Sequence, residues 1–124
     1  MLKDNFYTIS NIEHQQDHIS AEIKLNSGHE IFKGHFPGMP VVPGVCQLEI
    51  IKEILCYKRE GNYLMDTAKS CKFLNMINPL EVSSLNCEID LTRSNEKKMT
   101  FSASISDSNR TYFKIKGELT RIND

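Results

Sequence analysis

The sequence predicts an α+β domain in which one long helix is accompanied by five or six mostly antiparallel strands. Three observations predict it. One segment, residues 45 to about 59, carries apolar side chains at helical spacing. Several others alternate apolar and polar residues with the period of a half-buried strand. Short turn signals separate those segments, as between the strands of hairpins.

The first strand is expected over residues 17–25, where Ile19, Ala21, Ile23 and Leu25 alternate with polar neighbours. Asn26-Ser27-Gly28 is a turn signal. A short extended piece around Ile31 and Phe32 leads into a loop that holds Pro37, Pro40 and Pro43. Each proline fixes its own φ and pushes the residue before it out of the helical region. No helix and no central strand can run through that loop. It feeds the N-terminus of the long helix.

On that helix Leu48, Ile50, Ile51, Ile54, Leu55 and Tyr57 sweep a broad apolar arc, and Glu49, Lys52, Glu53 and Glu60 share the remaining stripe. An arc so wide suits a helix enclosed by a sheet. Lys58 and Arg59 suit the negative end of the helix dipole, and Gly61 is a natural stop. Strand alternation then recurs in residues 68–77, 82–91, 99–105 and 112–119. Ser94-Asn95-Glu96 and Asp107-Ser108-Asn109 are the turns between the later strands.

With 124 residues the chain reads as one domain, residues 1–124, without repeats or linkers. A hydrophobic content of 40% and a charged content of 25% exclude a disordered chain. The formal net charge of -1 and the absence of a basic arm argue against nucleic acid. No apolar run approaches a bilayer span and no signal peptide opens the chain, so a cytoplasmic protein without membrane attachment is expected. Cys46, Cys56, Cys71 and Cys87 form no CxxC pair and have no histidine at ligand spacing. They are expected as reduced, buried thiols, with no metal site.

Chemistry concentrates in His35-Phe36-Pro37-Gly38-Met39-Pro40-Val41-Val42-Pro43-Gly44-Val45, with Glu49 a turn further on. His35 is a candidate base, because an imidazole is substantially neutral near pH 7. Glu49 is a candidate acid, provided that burial among Leu48, Ile50 and Ile51 keeps its proton on. The helix start at Pro43-Gly44 offers free backbone N–H groups to a developing oxyanion. The plainer readings are a surface acid paired with Lys52 for Glu49, and structural or solvated roles for His14, His18 and His29. Cys46, in the first helical turn, reads as a small buried residue before it reads as a nucleophile.

The pattern His35-Phe36-Pro37, Pro40, Pro43-Gly44-Val45 and Glu49 resembles the active-site signature of hot-dog-fold 3-hydroxyacyl-acyl-carrier-protein dehydratases of the FabZ/FabA type. Ile31-Phe32-Lys33-Gly34 and Lys72-Phe73-Leu74 add weaker matches, and together they cover about a third of the chain. The resemblance implies a curved sheet wrapping the central helix, with His35 as base and Glu49 as acid. It points to the amide of Gly44 or Val45 as oxyanion donor. Phe36, Pro37, Val41, Val42, Val45 and Leu48 would line the acyl tunnel. It implies a homodimer or higher oligomer in which histidine and acid meet across the interface. The substrate would ride on the phosphopantetheine arm of acyl carrier protein, and the enzyme itself would need no cofactor. A glutamate at the acid position matches the branch that dehydrates without isomerising.

Three departures accompany the match. Glu53 stands where the family usually has a glutamine, and a second carboxylate there could raise the proton affinity of the first or mark a changed site. Asn78-Pro79-Leu80-Glu81 replaces the usual Pro-Gly-Asp turn, and the N-terminal portion lacks the usual apolar segment. They suit a divergent paralogue in a polyene, pigment or polyketide-like pathway better than the housekeeping enzyme. The competing readings are a hot-dog acyl-thioesterase, and a non-catalytic carrier-binding subunit of a heteromeric dehydratase.

Overall fold

The computed structural model describes residues 2–34, 40–59, 63–95 and 97–122. Its elements are β1 (Tyr7–Gln15), β2 (His18–Leu25), α1 (Ile31–Gly34), α2 (Gly44–Arg59), β3 (Tyr63–Phe73), β4 (Ser84–Ser94), β5 (Lys98–Ser106) and β6 (Thr111–Arg121). The six strands form one sheet in the order β1-β2-β4-β5-β6-β3, and every neighbouring pair is antiparallel. α2 packs on the inner face.

Turn chemistry sets the hairpins. Gln16 takes a left-handed φ of 52° in the two-residue link from β1 to β2. Asn95 Oδ1 accepts from the amides of Lys97 and Lys98, both at 2.9 Å, and starts β5. Asp107 Oδ1 accepts from Asn109 N–H at 2.8 Å and Arg110 N–H at 2.9 Å before β6. These side-chain bonds imitate backbone turns. Register shifts in β1, β3 and β4 bend the sheet, which lets it curl over α2.

The core lies between sheet and helix. Ile50, Ile51, Ile54 and Leu55 are fully buried on α2 and face Ile19, Ile23, Ile89, Phe101, Ile105 and Phe113 from the strands. Each such side chain contributes about 2–3 kcal/mol of apolar transfer. This is the hot-dog arrangement.

Several boundaries differ from the sequence expectation. β1 had no predicted counterpart, because the irregularity between Ile9 and Asn11 breaks the phase of its apolar alternation. It holds by pairing along β2 from Tyr7–Leu25 to Gln15–His18. The piece around Ile31 and Phe32 is a helical turn, not extended; Ile31 N–H donates to His29 Nδ1 at 3.1 Å at its start. β3 begins five residues before the expected strand and ends at Phe73, since Leu74 to Ile77 leave the sheet to meet the proline loop. Ile77 C=O accepts from Val42 N–H at 2.9 Å there.

On α2 the expected polar stripe is broken. Glu53 is only 4% exposed while Tyr57, assigned to the apolar arc, is half exposed. Residues 2–6 fold back as a turn, with Phe6 N–H bonded to Leu2 C=O at 2.7 Å, and supply the cover over Glu53. All four cysteines are free, with Cys46 and Cys87 buried, Cys56 half-buried and Cys71 exposed, which corrects the expectation of four buried thiols.

Candidate functional site

The proline loop and the first two turns of α2 carry the candidate site. Cys46 N–H at 3.0 Å and Gln47 N–H at 3.2 Å both donate to Pro43 C=O. The amides of Gly44 and Val45 therefore precede the first intrahelical bond and stand at the positive end of the helix dipole. Gly44 is needed for close approach. A Cβ there would lie 2.7 Å from Cζ of Phe73, whose ring stacks on Phe113 at 4.8 Å between centroids.

A groove of about 530 Å³ runs beside this helix start, lined by Val41, Val42, Gly44, Gln47, Phe73 and Met76 among others. Val41 is half-buried on it and Val42 is buried, in keeping with lining roles. Leu48 is half-buried and packs against the core, not along this groove. The Val45 side chain is 74% exposed and lines no part of it, so its part in a tunnel wall would need a neighbouring subunit. His35, Phe36 and Pro37 lie outside the described residues.

Glu49 sits on the second turn of α2 with its side chain 38% exposed. Desolvation is the chief reason that its carboxyl holds its proton above the ordinary glutamate range, and the Glu53 carboxyl adds to it by hydrogen bonding and like charge. Lys52 pulls the other way, with Nζ 4.0 Å from Glu49 Oε1. Both sequence readings of Glu49 thus contain part of the answer. The ion pair exists at i,i+3 spacing, yet the net push is toward the neutral acid.

Cys46 gains no nucleophile's character from its first-turn position. Burial first, and then Glu49 and Glu53, push its thiol up. His29 and His14 are accounted for by local structure: His29 lies edge-on to Phe6 at 5.3 Å, and His14 Nε2 bonds Gln16 C=O at 3.0 Å. Among the described residues no group of three or more His, Cys, Asp or Glu is arranged to hold a metal. Among the described residues no helix is long and apolar enough to cross a membrane.

Three residues at the site carried no role in the sequence reading. Phe73 was quoted only as part of a weak match, yet its ring shapes the entrance over Gly44. Gln47 is 3% exposed, with Nε2 bonded to Val42 C=O at 3.3 Å and its buried Oε1 without a partner among the described residues. Tyr7 hydroxyl donates to Glu53 Oε1 at 3.1 Å across 46 residues of chain. Only contacts made by folding reveal the last two.

Comparison with known proteins agrees with this geometry. Residues 11–116 match the ApeI-like family model, described as ApeI dehydratase. The 3-hydroxyacyl-[acyl-carrier-protein] dehydratase FabZ of Levilactobacillus brevis is 34% identical over 97 residues, 72% of this chain and 65% of that one. The protein of the same name from Lactobacillus helveticus is 36% identical over 86 residues, 63% of this chain and 57% of that one. The match thus spans about three fifths of the length of these relatives. Among solved structures, the dehydratase heterocomplex ApeI:P from Xenorhabdus doucetiae superposes with a TM-score of 0.72 at 20% identity, over 91% of this chain and 96% of that chain. A Haemophilus influenzae thioesterase shares the fold at 14% identity and a TM-score of 0.65, over 94% of this chain and 78% of that chain. A hot-dog sheet, an open helix start under Phe73 and a family match over residues 11–116 lead to one assignment: this chain belongs to the ApeI-like dehydratase family.

Proposed function

We propose that the protein removes water from a 3-hydroxyacyl thioester carried on acyl carrier protein, giving the trans-2-enoyl thioester. The observation that carries this reading is Glu49, a carboxyl that holds its proton above its ordinary range on the second turn of a helix whose Gly44 and Val45 amides precede the first intrahelical bond. Elimination needs an acid for the departing hydroxyl, and a carboxyl that holds its proton above the ordinary range is suited to that part.

In the proposed reaction His35 takes the proton from C2. The electron pair forms the C2–C3 double bond and the C3–O bond breaks. Glu49 gives its proton to the leaving hydroxyl, which departs as water. Return of the proton from His35 to Glu49 resets the pair. The amide of Gly44 or Val45 holds the thioester oxygen while negative charge develops on it. Phe36, Pro37, Val41, Val42 and Leu48 are the proposed tunnel lining, and the protein's own groups suffice without a bound cofactor.

The assembly proposed is a dimer, with a second copy or with a related hot-dog subunit. β3 is an edge strand with exposed Leu64 and Phe73, and the chain just beyond it exposes Leu74 and Met76. An apolar edge of this kind is normally covered. The Xenorhabdus protein was solved in a heterocomplex, which gives the mixed assembly its place in the test. The proposed setting is the cytoplasm, in fatty-acid or specialised lipid synthesis.

The test is mass spectrometry of 3-hydroxyacyl chains on carrier protein, with wild type beside His35→Ala and Glu49→Gln. Wild type is expected to remove one water, His35→Ala none, and Glu49→Gln to be slower by at least about a hundredfold. Release of free carrier thiol by wild type without dehydration would replace this reading by thioester hydrolysis. Full activity of Glu49→Gln would remove the acid assignment.

A further inference from the structure

Among the described residues Glu53 is the only charged side chain in the buried set, and it lies one helical turn beyond Glu49. At i,i+4 spacing the two carboxyls share a face of α2. Three donors converge on Glu53 from outside the helix. Leu2 N–H reaches Oε2 at 2.8 Å, Lys3 N–H reaches Oε1 at 2.8 Å, and Tyr7 hydroxyl reaches Oε1 at 3.1 Å. Both oxygens therefore accept, and none of these three groups offers a lone pair to a carboxylic O–H in the bonds they make. That is the pattern of an ionised carboxylate, which only accepts.

An anion fixed at Glu53 has a consequence for its neighbour. Two carboxylates on adjacent turns repel, which adds to the desolvation that already favours a proton on Glu49. The donors occupy Glu53, so the proton resides on Glu49, whose carboxyl is the half-exposed one. Among the described residues, Lys52 on α2 opposes its protonation, and Cys46, Cys56 and Tyr7 are neutral neighbours whose own protons burial holds on.

We propose that Glu53, clamped as an anion by the N-terminal turn and Tyr7, is a positioning residue that keeps Glu49 in its proton-donating form. The N-terminal turn thereby belongs to the acid half of the site. The inference rests on the reading of Glu49 as the acid, but its central claim concerns one carboxyl and can be measured without substrate.

The experiment is a pH titration of the intact protein with carboxyl-labelled glutamate, followed by carbon NMR, with the Glu49 signal identified by its loss in Glu49→Gln. In wild type the Glu49 midpoint should lie above the ordinary glutamate range. In Glu53→Gln it should fall by about one pH unit, since the like charge is gone. Tyr7→Phe should move it in the same direction by less, because it removes one of the three donors that hold Glu53. Tyr7→Phe keeps the buried ring and serves as the readout where Glu53→Gln does not fold. A Glu49 midpoint that stays put in folded variants overturns the proposal, leaving Glu53 as an anchor for the N-terminus alone. The dehydration rate is measured alongside. Its alkaline limb should move down with the NMR midpoint, whereas a uniform loss of rate at every pH indicates a merely structural effect. If the midpoints shift as expected while wild type dehydrates nothing, it is the dehydratase reading that fails.

Discussion

Glu49 with Glu53 on α2, and Glu88 with Asp90 on β4, are both acid pairs that the backbone brings to one face. On the helix the spacing is one turn, and on the strand it is the two-residue repeat. Their surroundings differ. Glu53 is buried and answered by two backbone amides and a phenol, while Glu49 is left to hold a proton. On the sheet's outer face the pair shares a histidine instead. His18 Nδ1 lies 2.6 Å from Asp90 Oδ1 and Nε2 lies 2.9 Å from Glu88 Oε1. Ser20 hydroxyl donates to Glu88 Oε2 at 2.5 Å. Both ring nitrogens donating is the imidazolium pattern. Hydrogen bonds to Asp90 and then Glu88 push His18 above its ordinary 6.5. Glu49 and Glu88 are about equally half-exposed, so the partner decides: beside buried Glu53 a carboxyl holds its proton more tightly, and beside exposed Asp90 it recruits a cation.

The largest expected effect breaks the buried half of this comparison. Glu53→Leu keeps approximate volume but leaves the Tyr7 hydroxyl and two amides without their acceptor. Loss of a buried acceptor of this kind costs about 2–3 kcal/mol, so thermal unfolding should fall by on the order of 10 °C. A melting temperature within experimental scatter of wild type would mean that the N-terminal turn does not hold Glu53 in solution. Tyr7→Phe removes one of the three donors and should cost about 1 kcal/mol by chemical denaturation. A variant as stable as wild type would show that the phenol–carboxylate bond is replaced by water at no cost.

The same contrast explains what could be read from the chain beforehand. The helix and four of the strands follow periodicity, so Ile50 and Ile54 were placed in the core before any contact was known. The fold's name and the role of the proline loop came from a long motif match, not from periodicity. β1 and the turn at residues 2–6 were invisible because pairing with β2 and bonds to Glu53 create them. With no partner in view, Glu53 fell on the solvent stripe of the helix. Tyr57 went to the core for the mirror reason: Lys3 Nζ lies 4.7 Å from its ring centroid at the surface. Gln47 shows the same limit, since its bond to Val42 C=O depends on how the loop returns.

Glu49→Gln sharpens the comparison through stability. The folded carboxyl holds its proton above the ordinary value of 4.5, so the protein loses stability as pH rises from that value through the raised one. An amide of equal shape does not ionise and escapes the loss. The variant should match wild type near pH 4 and exceed it at pH 8, by less than about 1 kcal/mol because the side chain is partly solvated. Urea midpoints across that range decide it. A variant weaker than wild type at pH 8 would mean that the Lys52 ion pair outweighs desolvation.

The smallest effect belongs to the exposed cluster. His18 binds its proton more tightly in the folded state, so its contribution is fully present below its ordinary 6.5 and is lost as pH climbs through the raised value. This sign matches that of Glu49, yet the causes are opposite: burial favours a neutral acid there, and two carboxylates favour a charged ring here. His18→Gln keeps a polar side chain of similar length without the charge. Wild type should exceed it by a few tenths of a kcal/mol at pH 5.5, with the gap closing by pH 9 and shrinking in high salt. An equal gap at every pH and salt would assign the cost to packing on β2. The exposed cluster would then owe its geometry to strand register, since His18 and Asp90 already face each other as backbone partners.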